Sequence, residues 1–120
     1  SNNIIIGDVT GNIYSYDLGQ KSLQSLGNVH DSRISFLKAI TLLNTSLIIS
    51  ASFDHTWKLT PIDITNNQLG QPITFQAHSG WITSAVYHEP TNQLVTAGND
   101  KNLFYWQINL EEIVKNFNKI

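Results

Sequence analysis

The chain has 120 residues, and seven Lys+Arg against nine Asp+Glu give a formal charge of −2; this excludes the clustered basic surface that unspecific phosphate binding needs. Only 13% of residues are charged while 41% are hydrophobic, a composition that buries a core instead of staying disordered. Zero cysteines exclude a disulfide framework, a zinc ribbon and thiol chemistry, and no apolar run reaches the roughly 20 residues with which a helix spans a bilayer. Neither nucleic acid nor membrane is expected as a partner.

In chain order, short segments rich in Ile, Val, Thr, Tyr and Phe alternate apolar with polar residues, and turn residues break them at roughly 8–12-residue spacing. The pattern predicts strands over Asn3–Gly7, Asn12–Asp17, Leu23–Leu26, Ser35–Leu42, Leu47–Ser52, Thr56–Pro61 and Ile73–Gln76. Three more follow over Ile82–His88, Leu94–Gly98 and Leu103–Ile108, giving an all-β chain of ten strands up to that point. The last twelve residues differ in kind. Asn109 suits an N-cap, Glu112 completes a capping-box-like pair, and Glu111 favours the positive end of the dipole. Leu110, Ile113, Val114, Phe117 and Ile120 fall on one stripe, so a short amphipathic helix is predicted over 109–120, packed on the rim or offered to a partner.

Internal repetition separates a sandwich or barrel from a stack of similar units. His30 falls on His78 at 48 residues, and Ser50 on Thr96 and Asp54 on Asp100 at 46; Thr10 precedes Asp54 by 44. A period in the mid-forties with four strands per unit is that of a propeller blade. On these residues, in the segments AHSGWI, VTAGNDKNLFYWQI, ISASFDHTWKLTPI and TGNIYSYDL, the chain resembles the WD-repeat (tryptophan–aspartate repeat) β-propeller family over about residues 3–108. The repeats are degenerate: the terminal dipeptide reads Tyr16-Asp17, Thr60-Pro61 and Trp106-Gln107, and Val29 or Ala77 stands where a Gly usually precedes the His.

The resemblance implies about two and a half four-stranded blades, near 1–26, 35–76 and 82–108, forming a partial propeller over 1–108. It also implies a hydrogen-bond chain inside each blade. In the last blade this would be His78, Thr96, Asp100 and Trp106. In the one before, His30, Ser50 and Asp54 remain but Thr60 replaces the Trp, and the first keeps only Tyr16, so the chain should weaken towards the N-terminus. A hydrolytic triad from His78, Ser79 and Asp100 is the sharper reading, yet an equivalent set recurs 46–48 residues earlier, which a structural network explains and catalysis does not. Among His30, His55, His78 and His88 no pair has metal-ligand spacing, and no cofactor motif appears. The sequon Asn44-Thr45-Ser46 lies in a predicted turn.

The function that the resemblance implies is a non-catalytic scaffold for protein–protein contact inside the cell, in cytoplasm or nucleus, needing no cofactor or metal. The alternative is a propeller with a small-molecule or catalytic site in its central channel. Loops that should share one face carry Arg33, Phe53, Trp81 and Lys101, with His55 beside them, and these are the candidate partner contacts. The strand count leaves the first blade without its innermost strand and the last without its outermost. The expectation is therefore a C-terminal portion of a longer propeller, or self-association in which two copies make five blades from twenty strands.

Overall fold

The structure, a computed structural model, describes residues 2–42 and 44–109. Apart from Asn109, the expected C-terminal helix lies outside them. Eleven strands follow one another: β1 Asn3–Gly7, β2 Asn12–Asp17, β3 Ser22–Asn28, β4 Ile34–Leu42, β5 Thr45–Ser52, β6 Thr56–Asp63, β7 Gln68–Leu69, β8 Ile73–Gln76, β9 Ile82–His88, β10 Gln93–Gly98 and β11 Leu103–Gln107. Among the described residues the only helical segment is a single 3₁₀ turn, Glu89–Thr91, so the all-β expectation holds. All pairing is antiparallel and groups the strands into three sheets, β1-β2-β3, β4-β5-β6 with β7 and β8, and β9-β10-β11.

The middle sheet differs from the four plain strands expected, because its outer strand is split. β8 pairs with Thr56–Leu59 of β6, and β7 pairs with Ile62 and Asp63. Gly70 to Pro72 fill the gap between β7 and β8. Neither Pro61 nor Pro72 has an amide hydrogen for a ladder, and one bond from Gly70 N–H to the Pro61 carbonyl (2.8 Å) spans the break.

The sheets stack face to face as blades, and period-2 alternation decides which side chain looks which way. On β5, Leu47, Ile49 and Ala51 join Trp57 and Leu59 of β6 in a core shared with Ile82, Leu94 and Trp106 of the third sheet. The intervening Ile48 faces the other way, into a second core with Ile5 and Ile13 of the first sheet. β5 is therefore buried on both faces, as the central strand of a middle blade must be. Trp57 anchors the first of these cores, stacked on Phe75 at 4.1 Å and edge-on to Trp106 at 5.3 Å.

Backbone bonds between connections fix the spacing of the blades at one end of the stack. The amide of His30 donates to the carbonyl of Gly11, and that of His78 to the carbonyl of His55. Gly11 (φ 88°) and His55 (φ 79°) are the left-handed residues of equivalent turns. At Gly11 the approach is so close that a Cβ would overlap the His30 carbonyl, so glycine is required there.

Candidate functional site

Two chemical features meet at this end of the stack: a pair of buried histidine networks and an aromatic cluster above them. In the third sheet His78 enters from the connection between β8 and β9. Its Nδ1 lies 3.0 and 3.1 Å from the two Asp100 oxygens and its Nε2 2.9 Å from Thr96 Oγ1. A carboxylate can only accept, so Nδ1 carries the proton, and in the neutral ring Nε2 accepts from the Thr96 hydroxyl. The indole Nε1–H of Trp106 in turn donates to Thr96 Oγ1 at 3.2 Å. The chain thus runs from indole to hydroxyl to imidazole to carboxylate. Asp100 also accepts the amides of Ser79 (3.0 Å) and Asn102 (3.1 Å), tying both flanking loops to one side chain. Gly98 lies against the ring, where a Cβ would come within 2.7 Å of His78 Nδ1.

The middle sheet repeats the design with a changed end. His30 Nδ1 is 2.8 Å from Asp54 Oδ2 and its Nε2 2.8 Å from Ser50 Oγ. Thr60 holds the position of Trp106, and its short hydroxyl is buried without a partner. Thr56 compensates at the other end, donating to Asp54 Oδ1 at 2.6 Å and lying 3.3 Å from His30 Nδ1. The middle network thus keeps its Ser–His–Asp chain and gains a hydroxyl beside the carboxylate, while the link to an indole found in the last sheet is missing. In the first sheet the carboxylate has moved two residues, from the turn position held by Thr10 to Asp8. Asp8 Oδ1 accepts the Thr10 and Asn12 amides and the Thr10 hydroxyl, and Oδ2 accepts the Tyr14 hydroxyl, all at 2.9 Å. Tyr16, the expected aromatic, lies outside this cluster. The D-x-T spacing at residues 8–10 is the sequence signal that marks Asp8.

Electrostatics follow these contacts. Burial pushes the Asp54 carboxyl up, but the His30 imidazole and the Thr56 hydroxyl and amide outweigh it and hold the group well below the usual carboxylate range. Asp100 behaves alike: burial raises it, and His78 with the Ser79 and Asn102 amides lowers it further. Asp8 is lowered chiefly by the Asn12 amide, then, against a smaller opposing effect of desolvation, by Tyr14 and Thr10.

These bonds leave no room for a triad at His78. Both ring nitrogens are spent on Asp100 and Thr96, the ring is buried, and Ser79 meets Asp100 through its amide. Among the described residues no group of three or more His, Cys, Asp or Glu side chains could hold a metal.

Above the networks, three of the predicted contact residues converge. Arg33 and Trp81 occupy equivalent positions at the starts of successive inner strands, and each carbonyl accepts an amide from its own blade's turn, Phe53 N–H and Asn99 N–H, both at 2.9 Å. Phe53 stacks on Trp81 with centroids 4.5 Å apart and planes within 4°. The Arg33 guanidinium carbon lies 5.3 Å from the Phe53 centroid on a cation–π path. The stack runs across two blades, and Trp81 remains 49% exposed. Lys101 is exposed in the equivalent turn of the third sheet (φ 70°) but takes no part in the stack, and His55 is half-buried, its carbonyl engaged by Ala77 and His78.

Compared with models of known families, residues 70–107 match the WD domain, G-beta repeat (WD40). Those residues are similar to a WD40 repeat. The matched stretch straddles two sheets, from β8 of the middle one to the end of β11, and contains the whole His78–Thr96–Asp100–Trp106 network. WD40 repeats serve protein–protein contact and are generally non-catalytic. Among solved structures, the chain is similar to the crystal structure of the computationally designed Ika8 protein. The TM-score is 0.63 and the identity 23%, over 90% of this chain and 31% of that one. The chain spans about a third of that protein's length, and the likeness is one of fold alone. No curated protein matches the sequence.

Proposed function

We propose that the chain is a non-catalytic scaffold of a WD-repeat propeller inside the cell, and that it docks a protein partner on the end of the stack where Arg33, Phe53 and Trp81 meet. The observation carrying this reading is the Arg33–Phe53–Trp81 stack. It places a half-exposed indole and a guanidinium on a rigid platform fixed to two blades. Trp and Arg are over-represented among interface hot spots: the indole brings large area at low ordering cost, and the guanidinium brings a planar fork of donors. Beneath them the two His–Asp networks hold the loops in place, so the platform needs little reorganisation on binding.

The test is quantitative capture from a native extract with the wild-type chain, with Trp81→Ala, with Arg33→Ala, and with Thr74→Ala, at an exposed position of β8, as control. The reading expects the bound set to fall several-fold for Trp81→Ala and Arg33→Ala and to persist for Thr74→Ala, at a temperature where all four are folded. Equal capture by all four would refute it.

A further inference from the structure

Toward the end of the stack away from Trp81, the first and middle sheets part around a cavity of about 400 Å³. One wall is the face that the first sheet turns to the middle one, with Asn3 of β1, Ser15 and Asp17 of β2, and Gln24 of β3. The other is the turn between β6 and β7, which brings Thr65 and Asn67.

The repeat register shows that this polarity replaces a core. At the 44-residue offset Asn3, Ile5, Ser15 and Asp17 stand where Leu47, Ile49, Leu59 and Pro61 stand in the middle sheet. The ladders agree: Asn3 pairs with Asp17 and Ile5 with Ser15, as Leu47 pairs with Pro61 and Ile49 with Leu59. Gln24 opposes Ser15 where Ile73 opposes Leu59. In the middle sheet Leu47, Ile49 and Leu59 are fully buried and close the core against the third sheet. In the first sheet Ile5 still joins the neighbouring core, but Asn3, Ser15 and Gln24 put polar groups where aliphatic ones belong, and the cleft stays open.

Ser15 is the most buried of the lining residues, 4% exposed, and among the described residues its hydroxyl makes no hydrogen bond. A buried hydroxyl is costly to leave unpaired, so its partner is to be sought in the cavity. The Asp17 carboxylate is half used: Oδ1 accepts the Gly19 and Gln20 amides at 2.8 and 3.0 Å, while Oδ2 has no partner among the described residues. The carboxamides of Asn3, Gln24 and Asn67 are likewise uncommitted there, each offering a donor beside an acceptor. Among the described residues that line the cavity none is Lys, Arg or His, so an anion would meet only the Asp17 charge. One carboxylate is too few for a bare divalent cation, and a single aliphatic side chain, Ile64, offers little to an apolar ligand. A hydroxyl both donates and accepts, and it can take the place of water without losing water's bonds.

From this we infer that the cleft between the first and middle sheets binds a small neutral polyol, a monosaccharide or a cyclic polyol. Asp17 Oδ2 accepts from one ligand hydroxyl, Ser15 bonds to another, and the Asn3 and Gln24 carboxamides bridge adjacent ones. The volume lies at the lower end of the roughly 300–1,000 Å³ of small-molecule pockets.

The experiment titrates the nitrogen-labelled 120-residue chain with D-glucose and with myo-inositol, with sodium sulfate as the anionic probe, and follows backbone amide resonances. The expected result is saturable shifts at Ser15, Asp17, Gln24 and Thr65 with at least one polyol and none there with sulfate. Ser15→Leu, which restores the residue type of Leu59, should fill the cleft and abolish those shifts. Gln24→Leu, at an exposed position, should weaken binding several-fold, and it keeps the test open if Ser15→Leu unfolds by near-ultraviolet circular dichroism. Ser25→Ala, on the other face of β3, should bind as wild type does. No saturable shift in the cleft with either polyol overturns the inference. So does a sulfate response equal to theirs, or binding that Gln24→Leu and a folded Ser15→Leu leave unchanged. The Trp81 surface lies at the other end of the stack and is read by capture, so this inference and the proposed function can fail separately.

Discussion

Replacing Thr96 by Val tests the buried network at its centre. Valine matches threonine in shape, so the change removes one hydroxyl and leaves almost no cavity. That hydroxyl is fully buried, donates to His78 Nε2 and accepts from Trp106 Nε1. Its loss strands an imidazole nitrogen and an indole N–H. A buried polar group without a partner costs about 1–3 kcal/mol, and the half-buried indole recovers part of its share from water, so the expected loss is about 3 kcal/mol. Trp106→Phe alone removes one hydrogen bond and leaves a small void, costing about 1–2 kcal/mol. Combined, the two should cost less than their sum by about 1 kcal/mol, because the indole that Thr96→Val orphans is no longer there. Urea unfolding at one fixed protein concentration, followed by the fluorescence of Trp57 and Trp81, gives all four stabilities. A Thr96→Val loss below about 0.5 kcal/mol, the scatter of ordinary surface changes, or strict additivity with Trp106→Phe would refute the network as drawn.

Thr60→Val is the opposite case: it removes a buried hydroxyl that has no partner, and it should be neutral or stabilise by up to about 1 kcal/mol in the same urea assay. Gly98→Ala would drive a Cβ to 2.7 Å from His78 Nδ1 and 2.8 Å from Asp100 Oδ1; the expected cost is about 2 kcal/mol or more, whereas Gly19→Ala, whose nearest neighbour is the Asp17 carboxylate at 3.3 Å, should be milder. Asp54 and Asp100 have folded-state values below the ordinary 3.8, so the stability they contribute is complete above that pH and is lost as pH falls through 3.8 towards the depressed values. Thermal unfolding as a function of pH should therefore show a steep acid limb, and Asp54→Asn should flatten it while lowering stability at neutral pH.

How much of this was legible in the sequence depends on the range of the interaction. β1, β2, β8 and β9 sit on the residues where alternation put them, because each buries one face and turn residues bound it. The split of the outer strand into β7 and β8 was not legible, since Asn66-Asn67-Gln68-Leu69 has no alternation and the pairing with Ile62 and Asp63 spans a turn. β3 runs on to Asn28 through a bulge at Gly27 (φ 135°), a backbone solution that the apolar pattern does not encode. The pairing of His78 with Asp100 was what the resemblance to the WD-repeat family implied, and the repeat offset carried it to His30 and Asp54 in the preceding blade. The same offset could not show that Thr56 replaces an indole, or that Asp8 reaches back from a strand end, since both are substitutions of one chemical group by another at a new position. Phe53 and Trp81 were each readable as loop residues; that they stack follows from blade packing across 28 residues of sequence.

The claim at the centre of this account is that the Arg33–Phe53–Trp81 end of the stack is a protein-docking surface. The most direct measurement is amide hydrogen exchange of the chain alone and in the complex recovered by wild-type capture. Slowed exchange concentrated in the connections at residues 31–33 and 79–81 and the turn at 53–55 is the predicted result. Unchanged exchange in those three segments, with protection instead along β8 or at the turn between β4 and β5, would contradict it.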